Sequence, residues 1–113
     1  MLSKVDQSTI QAFTSTILSL KSATEITDFK SELLVVQKFF QTRIQSIESE
    51  NYHVRSLLVE INKQMRLLGV DALFLQTAKQ PEKVQQRISQ MRDRLDLLIQ
   101  YCEGILALSA DSE

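Results

Sequence analysis

The sequence predicts an all-α protein, an antiparallel bundle of amphipathic helices. Three observations carry that prediction. Apolar residues recur at spacings of 3 and 4 along most of the chain, the period that aligns one face of an α-helix. The 113 residues hold only two Gly and one Pro, too few turn formers for the reversals an all-β chain requires. Ser and Pro stand just ahead of the apolar series, where helices start. The length suits one helical domain over residues 1–113.

The first helix is expected over 4–22. Ser3, with Asp6 three residues on, forms a near capping box, and Ile10, Phe13, Ile17 and Leu20 share one face. The run Ser22-Ala23-Thr24-Glu25 repeats the capping pattern and restarts a helix almost at once, which predicts a tight antiparallel hairpin.

The second apolar series runs Ile26, Phe29, Leu33, Val36, Phe40, Ile44 and Ile47, then Val54, Leu58, Ile61, Met65 and Leu68. Two consecutive steps of four, Val36 to Phe40 to Ile44, make a stutter in the heptad seam. No Gly or Pro interrupts it, so one long central helix over 24–68 is expected, about 66 Å at 1.5 Å per residue. Its weak point is 49–52, where Ser49 and Asn51 favour local backbone bonding. Asn51 either occupies the seam, where a polar residue sets register, or faces solvent at a bend.

Gly69 reads as a helix C-cap, followed by an apolar connector over 69–80 that has room for one helical turn from Asp71 and folds across the end of the bundle. Pro81 then opens a last helix over 81–108, with Val84, Ile88, Met91, Leu95, Leu98, Cys102 and Ile105 on an unbroken heptad seam. Residues 109–113 read as a frayed tail. A continuous central helix leaves two helices at any level, too few for a stable core. The expected remedy is a homodimer with a four-helix cross-section. A break near 49–52 predicts a monomeric four-helix bundle instead.

Composition narrows the function classes. Lys and Arg number 13 against 14 Asp and Glu, without the basic excess typical of phosphate binding, so no nucleic-acid partner is expected. A single Cys excludes an internal disulfide and suits a reducing compartment. The first 22 residues lack a continuous apolar run, so neither a signal peptide nor membrane insertion is expected, and the protein reads as cytoplasmic.

Chemistry-bearing motifs are lacking. His53 is the only histidine and has no metal-ligand spacing around it. Cys102 lies on the last helix's seam, where a thiol behaves as a small apolar residue. Gly69 and Gly104 are too far apart for a phosphate loop. The expectation is no catalytic, cofactor-binding or metal-ligating residue, and hence a non-enzymatic protein whose ligand is another protein. The candidate partner-binding residues are Lys83, Arg87, Arg92 and Arg94 on the last helix. Arg87, Arg92 and Arg94 flank the apolar seam and could meet Asp and Glu of a partner, or RNA. The plainer reading gives them salt bridges, within the chain or across a dimer, to acids of the central helix.

Three further features carry a resemblance. They are the connector Leu-Gly-Val-Asp-Ala-Leu-Phe-Leu from Leu68, the helix start Gln-Pro-Glu from Gln80, and Arg-Leu-Asp-Leu-Leu-x-x-Tyr-Cys-Glu from Arg94. On these, residues 68–106, about a third of the chain, resemble the cyanobacterial heterocyst frequency control proteins. The resemblance implies a role in cell division and in how often cells of a filament differentiate. It implies binding to the tubulin-like division GTPase FtsZ and modulation of its assembly; the expected homodimer could then bridge filaments through two copies of one binding face. Two other classes stay open. A small secretion or flagellar chaperone would hold a partner's amphipathic helix, using surplus apolar positions such as Leu34, Val35, Phe39, Leu57 and Leu67. A subunit of an RNA-binding complex would rely on Tyr52 near Arg55 and on Tyr101.

Overall fold

The computed structural model describes residues 2–111, which form helices and no strand. α1 spans Lys4–Ser22, α2 Ile26–Phe39, a π-helical segment Phe40–Ile44, α3 Tyr52–Thr77 and α4 Pro81–Asp111. All four α-helices pack together as an all-α bundle, and their buried apolar residues form one cluster.

Local chemistry sets the ends of α1. Ser3 Oγ accepts from the Asp6 N–H at 3.1 Å, and Asp6 complements the positive end of the helix dipole. Ile10, Phe13, Ile17 and Leu20 are all buried. The capping box expected at Ser22 does not form. Ser22 Oγ instead donates to the Ser19 carbonyl at 3.0 Å, and α2 starts at Ile26 with Glu25 at the cap, making no side-chain cap bond.

The stutter has a structural counterpart. A step of four overshoots a turn of 3.6 residues by about 40°, so two in succession would turn Ile44 about 80° from Val36, toward the edge of the buried stripe. The π segment takes an extra residue into one turn, with the Gln45 N–H donating to the Phe40 carbonyl at 2.9 Å. Phe40 and Ile44 thereby both stay buried. Phe13 of α1 lies against Phe39 and Phe40, with ring centroids 5.7 and 6.3 Å apart.

The expected continuous helix over 24–68 is corrected at this point. The chain leaves the helix after the π segment and turns through 45–51. Asn51, exposed, is the N-cap of α3: its Oδ1 accepts from the Val54 N–H at 3.1 Å, and its own N–H donates to Ser49 Oγ at 3.1 Å. The polar pair thus satisfies the start of a new helix. With the chain folded back, four helices of one chain pack together, and the premise from which a homodimer was expected does not hold.

The expected connector over 69–80 is also corrected. Residues 69–77 are the last turns of α3, because Leu68, Asp71 and Leu75 continue its buried face and no glycine has a positive φ. A glycine ends a helix by adopting the left-handed conformation, and Gly69 does not. The true link is 78–80, after the Ala78 N–H donates to the Phe74 carbonyl at 3.0 Å. α4 passes the expected end at 108 and runs to Asp111. Of the tail expected to fray, residues 109–111 are helical, and 112–113 lie outside the described residues.

α1 packs on α2 and α4, and α3 packs on α4, whereas α2 and α3 make no comparable approach. The 31 residues of α4 span about 46 Å, close to the 50 Å long axis, while the 19 residues of α1 reach about 28 Å. The turn at Ala23 meets α4 at Arg92. Beyond that level α3 and α4 continue as a two-helix arm.

Candidate protein-binding groove

The basic set singled out in the sequence is mostly engaged within the chain. Arg87 Nη1 donates to Asp71 Oδ1 at 3.0 Å, and Arg94 Nε donates to Asp71 Oδ2 at 2.6 Å. Asp71 is 2% exposed, so a buried carboxylate is neutralised by two guanidinium groups from the next helix. Arg87 also stacks over the Phe74 ring at 4.6 Å. Arg92 Nη2 donates to the Ala23 carbonyl at 2.7 Å and lies over Phe29 at 5.7 Å, tying α4 to the α1–α2 turn. Lys83 alone of the four stays exposed without an ion pair among the described residues. These four side chains therefore do not form one free basic face.

The open seam between α2 and α3 offers a better site. It is a groove of about 880 Å³. Phe40 and Met65, both buried, form its floor. Gln37, Gln41 and Gln45, four residues apart, line the α2 side, and the π segment places the last two. Asn62, Arg66 and Gly69, at spacings of 4 and 3, line the α3 side with Lys63 beside them. Exposed Val59 stands at the rim, and a neighbouring hollow sharing Val59 and Asn62 extends the groove to Arg55 and Glu48.

The electrostatics of this groove are one-sided. No carboxylate lines its main part, while Lys63 and Arg66 are exposed cations without an ion pair among the described residues. Glu60, three residues before Lys63, forms no ion pair with it. A groove with an apolar floor, amides on one side and cations on the other can bind a polypeptide.

The two residues with intrinsic reactivity lie elsewhere. His53 is exposed on the first turn of α3, edge-on to the Tyr52 ring at 5.8 Å. Cys102 is fully buried on α4, and burial pushes its thiol up to about 11, against a smaller lowering by a hydrogen bond with Thr14. Its thiolate, the reactive form, is scarce at neutral pH. Among the described residues no group of three or more His, Cys, Asp or Glu could hold a metal ion, and no helix is long and apolar enough to cross a membrane.

Sequence reasoning missed Asp71 and the groove. Asp71 was legible in part: it stands three residues after Leu68 and four before Leu75, on the face those two bury. The Gln37–Gln41–Gln45 ladder was also visible as a spacing, but its opposite wall depends on how the chain folds back. Comparison of the chain with protein-family models, curated proteins and solved structures found no match.

Proposed function

We propose that this chain is a non-enzymatic protein-binding module and that the groove between α2 and α3 receives the partner. The observation that carries this reading is the open seam itself: the bundle leaves a groove of about 880 Å³ between α2 and α3, with cations on one wall that are unpaired among the described residues. The resemblance of residues 68–106 to heterocyst frequency control proteins makes FtsZ the first partner to test, with cell division and differentiation frequency as the process. Purified chain is expected to bind FtsZ and change its GTP-driven assembly, followed by light scattering.

Val59→Asp places a charge at the groove rim on an exposed position and should abolish binding while leaving the thermal melt in place. Lys83→Glu, on the arm, should leave binding intact. The reverse pattern, loss with Lys83→Glu only, would move the interface to the arm. The filament-bridging version requires two copies, which multi-angle light scattering of the free protein counts. A chaperone for an apolar helix has less support, because four of its five positions do not converge. Phe39 stacks on Phe13, Leu57 packs at Gly104, and Leu34 and Val35 are exposed on α2.

A further inference from the structure

We infer that the groove takes an extended acidic peptide segment, its backbone bracketed by the glutamine ladder and its carboxylates held by Lys63 and Arg66. This rests on the groove being the partner site and specifies what enters it. Four observations point to that chemistry.

The first is charge: two exposed cations and, among the described residues, no carboxylate in the main groove favour an anionic ligand. Further along, Arg55 and Glu48 offset one another, so the positive excess lies at the Lys63–Arg66 end. The second is the amide wall. Gln37, Gln41 and Gln45 each carry donors and an acceptor, which match the free N–H and C=O groups of an extended backbone. A docked helix has already paired those groups and leaves the amides without a role. The third is the floor, where Phe40 and Met65 accept apolar side chains on the alternate positions an extended strand presents. Met is well suited to moulding around different side chains.

The fourth observation is Gly69. It sits inside α3 with a negative φ, so no turn demands it. A Cβ there would meet only Gln37 Nε2, at 3.9 Å, an ordinary contact, so no packing demands it either. Alanine would serve the helix better. A missing side chain on a groove wall lets a ligand backbone approach closely. From Val59 to Gly69 the wall is about 15 Å long, room for about five extended residues. A nucleic-acid strand fits less well: among the described residues Phe40 is the one aromatic lining the main groove, and successive bases need several stacking faces.

The test is selection from a random decapeptide library displayed on phage, panned on the full chain and counter-selected on the double variant Lys63→Glu, Arg66→Glu. The expected winners alternate Asp or Glu with apolar residues and tolerate proline. They should bind the double variant about tenfold more weakly or worse. They should also bind Gly69→Ala more weakly, although that variant melts at a higher temperature. Basic winners, winners that require a helix, or no enrichment that depends on Lys63 and Arg66 would overturn the proposal, as would tighter binding of a single-stranded oligonucleotide. If Val59→Asp abolishes FtsZ binding while acidic peptides fail, the groove survives and only this ligand chemistry is discarded. If both fail, the groove itself is not the site.

Discussion

α3 presents one face to α4 and another toward α2, and the two seams differ in every term that decides whether helices close. Toward α4 the approach is tight: a Cβ on Gly104 would come within 3.2 Å of Leu57 Cδ1, and Asp71 is gripped by Arg87 and Arg94. Toward α2 the seam stays open, with Gly69 in open space but for a contact at 3.9 Å, and with Lys63 and Arg66 unpaired among the described residues. The same residue types have opposite meanings in the two places. A glycine permits helix contact at one seam and leaves room at the other. Cations bound by a buried acid hold the arm together, whereas cations facing a groove remain available to a partner.

Asp71→Ala is the strongest way to break the closed seam. Removing one partner of a buried ion pair costs about 3–5 kcal/mol, and the partial exposure of both arginines points to the lower end. Hydrogen exchange should show the loss concentrated in residues 70–90. Gly104→Leu should come next, since overpacking against Leu57 costs about 1–3 kcal/mol by denaturant titration.

Cys102, on the face α4 buries, gives a pH signature. Its thiol is raised from 9.0 to about 11 by burial, so the folded state holds its proton where the unfolded chain releases it. Its contribution is full below pH 9 and is lost as pH rises toward 11. Melting temperature should fall over that window, and the fall should be shallower in Cys102→Ala. Gly69→Ala, at the open seam, should change least and with the opposite sign, stabilising by about 0.5–1 kcal/mol through helix propensity alone. Destabilisation there would mean that the α2–α3 seam closes in solution.

Much of the fold was legible because it depends on local signals. Ser3 and Asp6 mark the start of α1, the stripe from Ile10 to Leu20 marks its buried face, and Pro81 starts α4. The stutter at Val36, Phe40 and Ile44 announced irregular helix, though not that a π turn would absorb it. The break before α3 was one of two open readings, since a capping Asn and a seam Asn look alike until the chain's direction is known. Gly69 misled because a C-cap is a matter of φ, which a sequence does not display. That error hid Asp71 in an expected loop and left Arg87 and Arg94 looking free, when their partner lies 16 and 23 residues away. The groove was least legible, because its two walls come from helices that meet only after the turn at 45–51.

The central claim is that the open seam is the binding surface and the closed one is structural. Backbone amide NMR of the full chain, titrated with the tightest library decapeptide, tests it most directly. Shifts confined to residues 37–45 and 59–69 are the predicted result. Shifts centred on the arm, at Leu73, Phe74 and Lys83, would contradict it.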